Sequence, residues 1–280
     1  MKALVKIGSD PEVFITKEGK IVPSVGLVGG RKKFPRKIKG SKVGLGVLED
    51  NVTVELNPRA YAFSSRLDCN QLAYNMGKEL AALLAGAGLG YTLGHTHLFN
   101  AVELASPQAQ EMGCDPDFLA HDDGAFRAAL SPKLLGNYRF AAGHIHIGYD
   151  SSIIPACPMI QLIEALAYLP LLHKDQQGYG QNGRRSYYGI AGLFRTTSYG
   201  VEWRTPSNFW MKDGKLLEEV GKVATALVRQ PTVAASVYKE IERSLATAGM
   251  HGWKVVASFI NHEQVDNAPD VSTWRKRLKV

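Results

Sequence analysis

Residues 47–58, VLEDNVTVELNP, alternate apolar and polar side chains through most of their length. Such alternation is typical of a half-buried β-strand, because successive side chains point to opposite faces. Thr53, Glu55 and Asn57 therefore share one face, and apolar residues occupy the other. Pro58 ends the pattern, since proline cannot donate to a sheet. The stretch predicts a strand with one apolar face and one face that carries an acid.

Three further segments place two polar or charged residues two positions apart among apolar neighbours. They are Asp10 and Glu12 in residues 3–15, His144 and His146 in residues 139–150, and Glu202 and Arg204 in residues 196–206. One such pair alone is compatible with an ordinary solvated face. Four faces that carry carboxylate, imidazole or guanidinium groups favour a functional site built on β-strands.

The predicted helices lie between and after these strands. Helical spacing extends from Ser64, with Ser64 or Ser65 as the cap, to Leu84; residues 158–174 read as a buried helix, and residues 215–248 as helices broken at Pro231. The strands are separated by connections of varied length, without regular βαβ alternation. This order favours an α+β fold, a mainly antiparallel sheet with helices packed on one face. We expect a single catalytic domain, 1–280, with motifs at 8–210 and a C-terminal helical part at 215–280.

Composition gives the chain an ordinary globular character and a basic charge. It has 280 residues, 45% of them hydrophobic, and a net charge of +7. Basic residues concentrate at positions 31–42 and 275–279. A positive field favours an anionic partner, but no DNA-binding motif accompanies it, so we expect no specific nucleic-acid partner. The sequence does not address the oligomeric state.

Cysteine usage and hydropathy favour a cytoplasmic protein. Cys69, Cys114 and Cys157 form neither a disulfide framework nor a zinc pattern, and a reducing compartment suits free thiols. The longest apolar run, residues 159–172, is short for a membrane span and contains Glu164 and a proline. The N-terminal residues do not have the pattern of a signal peptide. We therefore expect a cytoplasmic location and no membrane partner.

The polar faces favour divalent-metal and phosphate chemistry. Carboxylates with one imidazole suit magnesium or manganese, which prefer oxygen ligands. A second HxH pair, His95 and His97, lacks acidic neighbours and reads as a core or surface pair. Four arginines lie in or beside a glycine-rich segment and could bind phosphate or carboxylate bidentately: Arg184, Arg185, Arg195 and Arg204. The segment is not a P-loop. Acids that hold metal, opposite arginines, are what phosphoryl transfer needs.

Four motifs in order, GSDPEVF, LEDNVTVELNP, GHIHIGYD and YYGIAGLFRTTSYGVEWRTPSNFW, give the chain a family resemblance. It resembles the phage-type carboxylate–amine ligases, or type 2 amidoligases, which are similar to glutamine synthetase and glutamate–cysteine ligase. The resemblance implies an antiparallel sheet like the glutamine synthetase catalytic domain, whose concave face holds two or more magnesium ions between ATP and substrate. It also implies that ATP activates a carboxylate as an acyl phosphate, which an amine then attacks.

The resemblance implies roles for individual residues. Metal ligands would be Glu12, Glu55, His144 or His146, and Glu202. Residues that contact ATP would be Arg184, Arg185, Arg195, Arg204 and His146, and the catalytic groups would be Arg195, Arg204 and Glu55. Asp10, Asp50 and Asn57 would orient ligands or bind the amine.

The chain departs from glutamine synthetase at Asp10, where the synthetase has a glutamate, and no ammonia-site loop is recognisable. A larger amine is therefore plausible, and the substrates would be small-molecule or peptide carboxylates and amines. If a phage encodes the chain, it would act in the host cytoplasm on a host peptide, a peptidoglycan precursor or a phage product. Two alternatives stay open: a metal-dependent hydrolase that activates water, and a non-enzymatic protein that binds an anionic ligand or a peptide.

Overall fold

The computed structural model describes residues 5–64, 66–111, 117–127, 135–178 and 183–280. Its strands are β1 (Lys6–Ser9), β2 (Glu12–Lys17), β3 (Lys20–Val22), β4 (Arg36–Lys37), β5 (Gly46–Asp50), β6 (Thr53–Asn57), β7 (Tyr61–Ala62), β8 (Leu89–Thr92), β9 (Thr96–Leu98), β10 (Asp117–Leu119), β11 (Ala125–Arg127), β12 (Tyr138–Phe140), β13 (Ile145–Gly148), β14 (Leu193–Thr197) and β15 (Gly200–Trp203). Its α-helices are α1 (Cys69–Ala85), α2 (Pro107–Gln110), α3 (Ala156–Ile163), α4 (Lys215–Arg229), α5 (Pro231–Leu245), α6 (Gly252–Asn261) and α7 (Ser272–Arg277).

The strands form two large sheets in which the described pairings are antiparallel. The first sheet has the order β11-β10-β14-β15-β13-β1-β7. The second has the order β3-β2-β6-β5-β4, and β8 pairs with the other edge of β2. Strands β9 and β12 form a small separate ribbon. The predicted α+β class with antiparallel sheets is confirmed, and the likeness to the glutamine synthetase domain stays a prediction.

The first polar segment is not the single strand that its pattern predicts. It is interrupted at Asp10 and Pro11, so that β1 enters the first sheet and β2 the second. Proline has no N–H to donate and disfavours helical backbone at the residue before it, which makes it suitable for such a crossing. Asp10 and Glu12 consequently lie at the junction of the two sheets rather than on one strand face.

Three other predicted strands are also divided. Residues 47–58 form the hairpin of β5 and β6 around Asn51 and Val52, not one strand, and Asn51 takes the left-handed backbone (φ +55°) that a tight turn accepts. In residues 139–150, β12 joins the small ribbon and only β13 joins the first sheet. In residues 196–206, β14 and β15 form a hairpin around Ser198 and Tyr199, and Gly200, the first residue of β15, has a φ of +144°, which favours glycine. The hairpin pairs Arg195 with Glu202, which brings an arginine beside an acid.

The helices cover the apolar face of the first sheet. Ile7, Ile147 and Trp203 on that face are almost fully buried, and α4 packs against β1 and β13. The break between α4 and α5 before Pro231 is confirmed, with proline in the first turn of α5. Helix α1 begins later than predicted: its cap is Asp68, whose carboxylate accepts the N–H of Gln71 at 2.8 Å, and not Ser64.

The helix that begins with α3 continues through a wide π-helical turn, Glu164–Tyr168, and a 3₁₀ segment, Leu169–Lys174. Residues 156–174 are long and apolar enough to cross a membrane by length and composition, but 67% of the most apolar window is buried inside the protein. This burial is typical of a core helix.

A buried carboxylate, Glu164, connects this helix to β15 and to the residues that follow it. It accepts hydrogen bonds from His121 Nε2 at 2.6 Å, Trp203 Nε1 at 2.9 Å, Thr205 Oγ1 at 2.6 Å and the N–H of Gly192 at 2.8 Å. Burial opposes ionisation, but these donors hold the pKa of Glu164 below its ordinary value. The hydrogen bonds of Glu164 therefore fix Trp203 and Thr205, the residues on both sides of Arg204.

Candidate active site

The junction of the two sheets positions two groups of possible metal ligands. Backbone hydrogen bonds hold the crossing segment in place: the N–H of Glu12 donates to the carbonyl of Ala142 at 2.8 Å, and the N–H of Leu56 donates to the carbonyl of Pro11 at 2.8 Å. Asp10 then faces the first sheet and Glu12 the second. The crossing therefore gives one acid to each group.

The first group contains Asp10, His144 and Glu202, whose ligand atoms lie within 4.8 Å of one another. His144 Nδ1 is 3.5 Å from Asp10 Oδ1 and 3.6 Å from Glu202 Oε1. His146, paired with Glu202 across β13 and β15, places its Nε2 3.1 Å from Asp10 Oδ1. Both histidines of the HxH pair thus reach Asp10, although only His144 belongs to the compact group.

The second group contains three carboxylates: Glu12, Asp50 and Glu55, again with ligand atoms within 4.8 Å. Glu12 and Glu55 are direct partners across β2 and β6, so their side chains lie side by side on one face. Glu12 also accepts the N–H of Ala142 at 2.9 Å. The structure brings these acids together from three strands.

Burial and mutual repulsion make the all-carboxylate group reluctant to ionise. The pKa of Glu55 is raised to about 9 by burial and by the charges of Asp10 and Glu12. The pKa of Glu12 is raised to about 8 by burial and by Asp50. Burial also raises the pKa of Asp50, against the opposing charge of Lys32 in the exposed basic loop. A divalent cation would relieve this repulsion, and an all-oxygen donor set suits magnesium.

The first group has the opposite electrostatics, because imidazoles and arginine compensate its acids. Burial opposes ionisation of Asp10, but the charge of His146 and hydrogen bonds from both histidines hold the pKa of Asp10 well below its ordinary value. Burial lowers the pKa of His144, with help from Arg204. The pKa of His146 is raised by Asp10 in spite of burial. The first group therefore offers anionic carboxylate oxygens beside the neutral imidazole nitrogen of His144, a set of ligand atoms that also fits a divalent ion.

Two arginines converge on Asp117, an acid that the sequence analysis missed. Arg204 Nε lies 3.1 Å and Arg195 Nε 2.9 Å from Asp117 Oδ1. Arg204 also donates to Glu202 Oε1, and Arg195 NH1 is 3.9 Å from the same oxygen. The guanidinium groups are therefore held by two carboxylates in a buried setting. Asp117 has no local sequence signal, since it reaches the arginines only through the pairing of β10 with β14.

The neighbouring arginines 184 and 185 separate. Arg184 lines the cleft beside Glu12 and donates to Gln177 Oε1 and to the carbonyl of Thr205; burial lowers its pKa to about 10. Arg185 is as fully buried as Arg184 but does not line the cleft. It donates to the carbonyl of Gly189 at 2.7 Å and to the Tyr168 hydroxyl at 2.9 Å. The structure thus brings only the first of the pair to the predicted site, because consecutive residues of a short 3₁₀ turn point apart.

A narrow cleft joins these groups. Its volume is about 70 Å³, which is room for ions and a few water-sized ligand atoms. The residues that line it are Glu12, Asp50, Asn51, Val52, Thr53, Glu111, Arg139, Phe140, Ala142, His144, Arg184, Tyr188 and Arg204. The sequence analysis did not single out Arg139, Phe140 or Tyr188.

The remaining candidates lie beside or outside this cleft. Asn57 faces a neighbouring cleft together with Asp10 and His146. His95 contacts the carbonyl of Gln176 at 3.0 Å, and burial with Arg184 nearby lowers its pKa to about 4. His97 packs edge-on against Phe99. Within the described ranges, neither joins a group of metal ligands. Cys114 lies outside the described residues.

Comparison with known proteins gives one family. Residues 132–251 match the model of the family described as phage phiEco32-like COOH.NH2 ligase-type 2. The matched segment includes both histidines of the HxH pair and the hairpin with Arg195, Glu202 and Arg204, whereas the acids of the second group precede it. No curated protein matches the chain. Over residues 132–251 the chain therefore carries the pattern of the phage-type carboxylate–amine ligases, which confirms the resemblance given by its motifs.

Proposed function

We propose that the protein is an ATP- and magnesium-dependent carboxylate–amine ligase of the cytoplasm, which forms an amide bond through an acyl phosphate. The observation that supports this proposal most directly is that two groups of possible metal ligands adjoin each other opposite Arg204. One group contains Asp10 and the other Glu12, the residues on either side of Pro11. Manganese could replace magnesium, since both accept carboxylate and imidazole ligands.

The residues present fit divalent ions on their donor chemistry. Glu12, Asp50 and Glu55 offer only oxygen, and the raised pKa values of the two glutamates reflect a burial and repulsion that a bound cation would offset. Asp10, His144 and Glu202 offer two carboxylates and one imidazole. When bound, the ions would neutralise phosphate oxygens of ATP.

The arginines would stabilise the transferred phosphoryl group. Arg204 and Arg195 are already oriented by Asp117 and Glu202, so little reorganisation is needed when negative charge develops near them. Arg184 faces Glu12 across the cleft and would contact the phosphate chain. Arg185 would act indirectly, by holding the turn that presents Arg184.

The dimensions of the cleft suit ions and phosphate groups. A volume of about 70 Å³ does not admit a whole nucleotide. Phe140 and Tyr188 line its wall, with ring centroids 5.5 Å apart, and would offer an aromatic surface to the base. Asp10 would orient the ions, and Asp50 would orient the ions or the amine substrate.

Titration calorimetry tests the proposal directly. We expect the protein to bind ATP in the presence of magnesium and to lose most of that binding with a chelator. Glu55→Gln should weaken magnesium-dependent binding at least tenfold, because it removes a ligand from the all-carboxylate group. Glu18→Gln is the matched control, since Glu18 is an exposed glutamate in the turn after β2.

A well-folded protein that does not bind millimolar ATP with magnesium would contradict the proposal. If binding is found, ADP release in the presence of paired carboxylates and amines then identifies the ligase reaction. ADP release that needs neither an acid nor an amine would indicate ATP hydrolysis instead.

A further inference from the structure

A second, wider cleft opens on the other side of Asp10 and His146. Its volume is about 570 Å³, within the range of pockets that bind small molecules. Lys6, Asn57, Arg59 and Tyr199 lie around it. It shares Asp10 with the first ligand group, whereas the narrow cleft contains Glu12. Each cleft is therefore lined by one of the two acids of the crossing between the sheets.

Glycines make the floor of this wider cleft. Strand pairing places Gly8 opposite His146, and it places Gly148 opposite both Lys6 and Gly200. His146 and Glu202 lie on one face of β13 and β15. Two residues along, the same face of these strands has Gly148 and Gly200 and therefore no side chain. Since alternate residues share a face, Gly8 and Gly148, which line the cleft, leave a hollow beside the first ligand group. The hollow is a consequence of the register in which β1, β13 and β15 pair.

The inner wall of the cleft is polar and held in place. The Tyr199 hydroxyl is hydrogen-bonded to His146 Nδ1, and the two rings lie 5.9 Å apart between centroids. His146 Nε2 contacts Asp10 at 3.1 Å. A group bound against this wall would lie beside the residues proposed to hold an ion.

The outer rim is cationic. Lys6 and Arg59 are exposed, and in the part of the chain that the structure describes neither forms an ion pair. The Arg59 guanidinium lies over the Tyr61 ring at 5.0 Å, and its stem lies beside Gly44. This packing restricts the side chain while leaving its hydrogen-bond donors available to a ligand.

We propose that this cleft binds the carboxylate substrate and selects one with a second anionic group, which Lys6 and Arg59 bind at the rim. The proposal rests on the proposed ligase function, because it places the reacting carboxylate at the Asp10 and His146 end. An unreactive carboxylate several bonds away would then reach the cations. A protonated amine would be repelled by the same rim, which argues against the amine as occupant.

Binding of glutarate and butyrate, measured by calorimetry or ligand-observed NMR with magnesium present, tests the proposal. The two acids differ by one carboxylate at similar length. We expect glutarate to bind at least ~10-fold more tightly than butyrate, since a hydrogen-bonded charge pair contributes about this much. Arg59→Gln should remove most of the difference. Lys33→Gln is the matched control, because Lys33 is an exposed cation of the basic loop.

Glycine substitution tests the location. A Cβ at Gly8 would lie 3.5 Å from the Cβ atoms of Ala60 and His146, which is ordinary contact, so Gly8→Ala should fold normally. Gly8→Val adds two methyl groups to the floor and should weaken glutarate binding severalfold beyond Gly8→Ala. Circular dichroism verifies that both variants are folded.

Manganese binding, followed by electron paramagnetic resonance on the same samples, separates this proposal from the ligase proposal. Normal manganese binding with equal affinities for glutarate and butyrate, or with no glutarate binding, would overturn the substrate assignment and leave the ligase proposal standing. Glutarate binding that depends on Arg59 without any manganese or ATP binding would support an anion cleft and refute the ligase. Unchanged glutarate binding in Arg59→Gln and Gly8→Val would place the ligand elsewhere.

Discussion

Replacing Glu55 by glutamine should make the metal-free protein more stable. Glu55 lies against Glu12 and near Asp50, and its pKa is raised to about 9 from an ordinary value of 4.5. Between these two pH values the folded state holds a proton that the unfolded state releases. The free energy of unfolding therefore falls as pH rises through this window. Glutamine keeps the shape of the side chain and has no proton to lose.

The size of the effect follows from the same pKa difference. A pH of about 7.5 lies about three pH units above the ordinary pKa of 4.5, and the Glu55 carboxyl of the folded state is still protonated there. The corresponding loss in the free energy of unfolding has an upper bound of ~4 kcal/mol. The titrations of Glu55, Glu12 and Asp50 are coupled, so part of this loss in the free energy of unfolding remains after Glu55 is replaced. We expect a gain of about 2 kcal/mol, or roughly 4–8 °C in Tm. Near pH 5 the gain should almost vanish.

Thermal and denaturant unfolding in chelator measure this gain from about pH 5 to 9, with Glu18→Gln as control. Magnesium should then reverse the order of stability. A ligand at 100 times its Kd stabilises a protein by about 2.7 kcal/mol, and Glu55→Gln should lose most of that benefit. A variant that is less stable than the parent in chelator across this pH range, or whose advantage does not grow with pH, would refute the repulsion argument.

Three further predictions concern the same junction and its support. Because the pKa values of Glu12 (about 8) and Glu55 (about 9) are raised, manganese affinity should increase from pH 6 to 9 with proton release; calorimetry in buffers of different ionisation enthalpy measures the protons, and a pH-independent affinity would contradict the prediction. Arg204→Lys should lower ATP-dependent turnover at least ~100-fold, because a lysine cannot contact Asp117 and a second carboxylate as a planar fork; turnover near the parental rate would count against it. Glu164→Ala should lower the free energy of unfolding by about 3–5 kcal/mol, measured in denaturant, because it leaves four buried donors without their acceptor; a loss below ~1 kcal/mol would show that the network is not structural.

The sequence predicted local structure where one period dominates. The shared face of Thr53, Glu55 and Asn57, and the helix break before Pro231, depend on side chains close in sequence. The first half of the same predicted strand, residues 47–52, instead forms β5 and the turn that leads into β6. The division at Pro11 was missed because the alternation continues across it, although proline at that position was a signal. The turn at Ser198 and Tyr199 was missed although serine and the following glycine are common in turns, because no Asn-Gly or Asp-Gly pair marks it.

The site was predictable in its residue types and not in its grouping. The sequence pointed to acids, histidines and arginines, but which acids meet depends on strand register, as with Glu12 and Glu55. Asp117 and Arg195 are 78 residues apart and meet only in the folded sheet. Arg184 and Arg185 are adjacent in the chain, and only packing decides which one faces the cleft.

Pro11 has a consequence for how the two ligand groups are spaced. Each group takes one acid from the same tripeptide, so the separation between any two bound ions is limited by a peptide segment with few accessible conformations. Pro11 supplies no ligand atom to either group, yet its ring restricts the conformation of the backbone that joins the two groups. It acts as a fixed spacer between two charges. An insertion of one residue there would preserve every ligand and still change the distance on which their cooperation depends.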